Sequence, residues 1–106
     1  MTEVDVEDPS EWAARFALLG DETRLRLLTA MHARPGLGVG ELAARAGIGE
    51  NAASQALRVL RHAGWVSAER DGRVVRYFLR NDAIVHRILH DILGAHHAAT
   101  PDEPLG

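Results

Sequence analysis

Between Asn51 and Arg58 the chain runs N-A-A-S-Q-A-L-R, and its polar members are residues that read base edges. Asn and Gln present a donor beside an acceptor and pair bidentately with adenine. Arg does the same with guanine, or grips a phosphate. At helical spacing Asn51, Ser54, Gln55 and Arg58 share one face, while Ala53, Ala56, Leu57 and Leu60 share the opposite, apolar one. A second set lies near the C-terminus, where His86, His90, His96 and His97 place four imidazoles within twelve residues. The His86/His90 pair has i,i+4 spacing, which lets two imidazoles meet one metal ion. At about 100° per residue, His86, His90 and His97 fall within an arc of about 40° on a regular helix. Asp91 and His96 are further candidate donors on the same segment. Imidazole and carboxylate without sulfur suit Ni(II), Zn(II) or Co(II). The competing reading of the same histidines is a solvated helix face. His32 and His62 stand alone in the sequence and read as structural or solvent-facing, with a phosphate contact as a second option for His62.

The elements that must position these residues can be read in order. Pro9 and Ser10 open a first helix with Trp12, Phe16 and Leu19 at helical spacing, ended by Gly20. Asp21 caps a second helix with Leu25, Leu28 and Met31 on one face, which stops at Pro35-Gly36. Val39–Ala46 is a short third helix, Gly47-Ile48-Gly49 a turn, and Glu50–Ala63 a fourth helix with Gly64 just past its end. Two strands follow, Trp65–Arg70 and Arg73–Leu79, with Asp71-Gly72 suited to a type I′ hairpin turn. Asp82 opens a fifth helix whose apolar set (Ile84, Val85, Ile88, Leu89, Ile92, Leu93) is broad enough to face both its own core and a second subunit. The expected fold is mainly α with a two-stranded β-wing: a winged helix-turn-helix of five helices. Residues 1–8 read as a disordered acidic arm, 9–99 as the DNA-binding and dimerisation domain, and 100–106 as a disordered tail.

A helix-turn-helix places its second helix in the major groove, with the first residues of that helix at base edges. The wing arginines Arg73 and Arg76 reach flanking phosphates or the minor groove, and Arg61 adds positive charge to the fourth helix. Net charge is −3, but it is unevenly spread. Five acids crowd the first eleven residues, whereas Asn51–Arg80 holds six arginines (58, 61, 70, 73, 76, 80) against Glu69 and Asp71. A local basic patch is what duplex DNA requires. All twelve basic residues other than histidine are arginine, which codon usage explains as well as function does.

Several chemistries are excluded. There is no cysteine, so disulfides, thiolate metal ligands and Cys nucleophiles are absent together. There is no Gly-rich phosphate loop and no HExxH, and no carboxylate pairing stands out. An enzyme is not expected. The acidic start carries no apolar run, so no secretory signal, membrane span or membrane partner is expected, and the chain reads as cytoplasmic.

Four stretches in order carry a family resemblance: LLGDETRLRLL (18–28), VGELAARAGI (39–48), ASQALRVLRHAGWV (53–66) and ERDGRVVRYFL (69–79). Together they resemble the ArsR/SmtB winged-helix repressors across about residues 12–97. The resemblance implies a homodimer, joined through the first and last helices, on a palindromic DNA operator near the start of its own operon, and repression relieved when an inducer binds. A histidine common in that family's recognition helix is Gln55 here, which shifts the expected base preference. The family's thiolate site maps onto Gly38 and Gly40, so metal sensing through it is not expected. Its second metal site, shared between antiparallel last helices, maps onto Asn81, Ala83, Gly94 and His97, of which only His97 is a good ligand. His86, His90 and His97 lie on that same face. In antiparallel copies His86 of one chain comes level with Asp91 or His90 of the other. The expected inducer is therefore Ni(II), slightly ahead of Zn(II), at His86, His90 and His97. The alternatives are a non-metal inducer, no inducer, or an architectural or protein-interaction winged-helix module.

Overall fold

A computed structural model of the protein describes residues 8–80 and 84–92. Helix α1 spans Pro9–Leu19, α2 Glu22–Ala33, α3 Val39–Ala46 and α4 Glu50–His62. Strands β1 (Val66–Asp71) and β2 (Val74–Leu79) follow. Helix α5 (Ile84–Arg87) then runs on into a π-helical turn, Ile88–Ile92. This is the winged helix-turn-helix with five helices expected from the sequence. The proposed tail, and all but the last residue of the proposed arm, lie outside the described residues. Asp8, assigned to the arm, is instead the N-cap of α1: its carboxylate accepts the Ser10 N–H at 3.0 Å. That hydrogen bond holds the Asp8 carboxyl below the usual carboxylate range.

The core is built where α2, α3 and α4 pack on one another and on the sheet. Leu27, Leu28 and Met31 of α2, Leu42 of α3 and Leu57 and Leu60 of α4 are essentially fully buried. Ala43, Ala46, Ala53 and Ala56 join the same cluster, and their small side chains let α3 and α4 approach closely across the turn. Val85 and Leu89 of the last helical segment, four residues apart, are also fully buried and anchor that segment on the core.

Two arginines of α2 fix the helices around it. Arg24 donates from Nε to the Leu18 carbonyl at the end of α1, while its own backbone N–H is capped by Asp21. Arg26 pairs with Glu22 and donates from Nη1 to the Ala46 carbonyl at 3.1 Å. This places a cation at the C-terminal, negative end of α3. There Gly47 takes a left-handed conformation (φ 71°), which turns the chain so that the Ile48 N–H bonds back to Ala43. The turn Gly47-Ile48-Gly49 therefore sits where the sequence placed it.

The wing departs from expectation by one residue. Asp71 pairs with Val74 in the antiparallel register, so the two-residue loop is Gly72-Arg73 rather than Asp71-Gly72. Gly72 then occupies the first central position, where both mirror-image hairpin turns need positive φ; it has φ 66°. Leu37 adds a pairing the sequence did not announce. It bridges Tyr77 antiparallel, and the Tyr77 N–H donates to the Leu37 carbonyl at 3.0 Å. The loop between α2 and α3 is thereby stitched to the wing.

Candidate nucleic-acid interface

Helix α4 is amphipathic in the simplest sense. Ala53, Ala56, Leu57 and Leu60 are buried, and Asn51, Ser54, Gln55, Arg58, Arg61 and His62 are exposed. Burying one face against α2 and α3 fixes which way the other points. The polar residues the sequence nominated thus stand together on the solvent face of the second helix of the helix-turn-helix, Asn51 in its first turn. Glu50 also lies in that turn. Its carboxylate stands 3.0 Å from where a Cβ would be at Gly40, close against α3. No hydrogen bond or ion pair involves Gln55, Arg58, Arg61 or Arg73 among the described residues, so their donors stay available. Arg58, Arg61 and His62 rim an open groove of about 520 Å³ with Val66, Ser67 and Ala68 of β1. It is a donor-rich channel between α4 and the base of the wing.

The two wing arginines part company. Arg73 lies in the hairpin loop and is exposed. Arg76 is engaged within the protein: Nε donates to the Asp71 carboxylate at 2.9 Å and Nη1 to the Gly36 carbonyl at 3.0 Å. An exposed ion pair of this kind is worth only about 0–1 kcal/mol. Its consequence is geometric, because Arg76 ties the wing tip to the α2–α3 loop. The sequence grouped Arg73 and Arg76 by charge; the structure separates an exposed loop arginine from one that braces the wing.

The histidines divide as well. His96 and His97 lie outside the described residues. His86 and His90 are present side by side, ring centroids 6.2 Å apart and planes 8° from parallel. Asp91 is exposed. The segment Ile88–Ile92 that carries His90 is wound i→i+5, which turns the chain less per residue than an α-helix does. Reading the sequence missed His32. It sits in the last turn of α2, 9% exposed, with ring centroids 5.1 Å from His86 and 5.9 Å from His90. Only its position next to the core residue Met31 hinted at burial; its histidine neighbours lie 54 and 58 residues further on. Among the described residues no three His, Asp or Glu side chains have their donor atoms already gathered for an ion.

Comparison with known proteins agrees with this geometry. A family model described as a helix-turn-helix domain matches residues 19–66, the span from the end of α1 to the start of β1. The HTH-type transcriptional regulator YgaV of Escherichia coli is 31% identical over 72 residues, covering 68% of this chain and 73% of YgaV. A transcriptional repressor SmtB homolog from Synechocystis is 36% identical over 83 residues. This chain belongs to the ArsR/SmtB-type winged-helix transcriptional regulators. The match covers 78% of the chain and 62% of the length of the Synechocystis protein. The crystal structure of AntR, an antimony-specific transcriptional repressor, superposes with a TM-score of 0.72 at 33% identity, covering 89% of this chain and 85% of AntR. Proteins of this family are DNA-binding regulators and not enzymes. No described helix of this ArsR/SmtB-type regulator is long and apolar enough to cross a membrane.

Proposed function

We propose that this protein is a dimeric repressor that binds a palindromic operator through α4 and the wing and responds to Ni(II) or Zn(II) at its last helical segment. The observation that carries the DNA reading is the exposed set Asn51, Ser54, Gln55 and Arg58, held outward by the buried opposite face of α4. In this reading Asn51, Ser54 and Gln55 meet base edges, Arg58 and Arg61 meet base or phosphate, and Arg73 meets the flanking backbone. The repressor assignment rests on likeness to the SmtB homolog and AntR.

Dimerisation is supported by α1. It carries Trp12, Phe16, Leu18 and Leu19 and yet has no buried residue in the single chain, with Phe16 59% exposed. A second copy would cover that face and set the spacing of two α4 helices against half-sites one helical turn apart.

The donor set selects the metal class. Without cysteine this chain has no thiolate for the antimony of AntR, whereas imidazoles with a carboxylate suit borderline divalent ions. His86 and His90 would hold such an ion, with His97, His96 and Asp91 as further donors. Bound there, it would bias the dimer between arrangements with different recognition-helix spacing.

A non-metal inducer is a second reading with its own observation. An open groove of about 640 Å³ lies between the end of α2 and the base of the wing, lined in part by Met31, Phe78, Leu79 and Arg80. One experiment separates these readings: fluorescence anisotropy on DNA from upstream of the protein's own gene and on random DNA, at fixed salt, without metal and then with Ni²⁺ or Zn²⁺. Specific binding that shifts by about 1–3 kcal/mol with metal is the expected result. Specific binding indifferent to both ions transfers the inducer role to the groove. Equal binding to both DNAs with a steep salt slope would make the protein an architectural module.

A further inference from the structure

We propose that His32 of α2, together with His86 and His90, forms a divalent-metal site within one subunit, clamping the end of α2 to the last helical segment. This rests on the reading of the last segment as the metal-responsive element, and it changes the ligand set: the third imidazole comes from α2 of the same chain.

The spacing of the rings carries the argument. With metal–nitrogen bonds of about 2.0–2.1 Å, imidazoles on one tetrahedral ion have ring centroids about 5.2 Å apart. His32 and His86 already stand 5.1 Å apart. The other two separations, 5.9 and 6.2 Å, exceed that spacing by about 1 Å or less. The donor atoms are not yet converged, and the residue that must move is His90, which is exposed and lies inside the π-helical turn. Turns of this type recur at functional sites. Here the turn sits one residue after Arg87 and carries one of the three imidazoles.

The anchoring is asymmetric in a useful way. Val85 and Leu89 are fully buried, so the adjacent stripe His86/His90 is held at the core boundary facing His32. His32 is itself buried and pre-positioned. Imidazole-rich coordination with no sulfur selects Zn(II), Co(II) or Ni(II). Three protein ligands leave a position for water or a further donor; Glu69 lines the same groove as His32 and His86. The site shares its groove with Ser67, Glu69, Phe78 and Leu79 of the wing strands. Four residues beyond His32, the Gly36 carbonyl holds Arg76 of the wing. A metal there would couple the last helical segment to the wing without passing through a second subunit.

Co²⁺ titration of the metal-free full-length chain, followed by visible absorption, tests this. The wild type should bind with the band intensity of a low-coordinate nitrogen site. His32→Gln should bind at least tenfold more weakly with an altered spectrum, and His62→Gln, at the end of α4, within twofold of wild type. Wild-type affinity and spectrum in His32→Gln, with loss in His86→Gln, overturns the α2 ligand while leaving the last segment as the metal element. No Co²⁺ binding by the wild type overturns both. Because His32 is buried, a measurement on the unmodified protein stands beside the variant. On adding Zn²⁺, the His32 ring-nitrogen resonance should move together with those of His86 and His90. An unmoved His32 resonance overturns the proposal whatever the variant does.

Discussion

At the scale of single residues, the outward face of α4 assigns distinct work to distinct side chains. Gln55 has a buried neighbour at Ala56 and no hydrogen-bond partner among the described residues, so its amide is held out but not consumed. An amide in that state pairs bidentately with one adenine, and its removal is felt at that base alone. Gln55→Ala is therefore expected to relax preference at one operator position by about 1–3 kcal/mol. Binding at the other positions should be nearly unchanged. Affinities measured across single-base operator variants check this, and an unaltered profile would remove Gln55 from the readout set. His32 gives the contrary lesson. Its type and its sequence neighbours said little; its meaning comes from two imidazoles brought to it across the fold.

At the scale of elements, the wing is braced before it is charged. Leu37 pairs with Tyr77 on one side, and Arg76 joins Asp71 to the Gly36 carbonyl on the other. Arg73 stands in the loop beyond these ties. The two arginines should then fail differently. Arg73→Ala should weaken binding to all sequences alike and lower the salt slope by about one unit, as one phosphate contact is lost. Arg76→Met should also weaken binding to all sequences but leave the salt slope as it was, since it loosens the wing without removing a contact. Titrations of both variants at several salt concentrations decide the matter, and a reduced slope for Arg76→Met would make it a phosphate ligand after all. The same contrast explains what could be read in the sequence. Helices α3 and α4 and their Gly47-Ile48-Gly49 turn are local: apolar spacing and glycine placement settle them. The hairpin loop was misplaced by one residue because Asp71-Gly72 and Gly72-Arg73 both satisfy a two-residue turn, and only the pairing of Asp71 with Val74 chooses between them. The Leu37 bridge, the bracing of Arg76 and the burial of His32 all join positions about 40 or more residues apart. No periodicity encodes such pairings. The π-helical turn at Ile88–Ile92 likewise interrupts a stripe that reads as a regular helix.

At the scale of the whole molecule, the unresolved balance concerns α1. This helix packs against α2 through Leu18 and Leu19, which are only partly buried, and leaves Phe16 exposed. Phe16 lies against Trp12 in a tilted pair, ring centroids 5.8 Å apart, and Arg15 lies 4.7 Å over the Trp12 ring. Covering a phenylalanine in each of two subunits gains about 1.5–3 kcal/mol apiece, a sizeable share of what holds a small dimer together. A charge at that position opposes association without disturbing the monomer's core, because Phe16 is not part of it. Phe16→Glu should therefore keep the helical circular dichroism of the wild type and sediment as a monomer at concentrations where the wild type is a dimer. Operator affinity should fall with it. One subunit reaches only one half-site, and losing the tethered second contact costs about 10²–10⁴-fold in avidity. If Phe16→Glu remains dimeric and binds the operator as tightly as wild type, α1 is not the interface. A variant that turns monomeric yet keeps full operator affinity would instead show that a single α4 and wing supply the whole recognition surface, and the palindromic operator would lose its rationale.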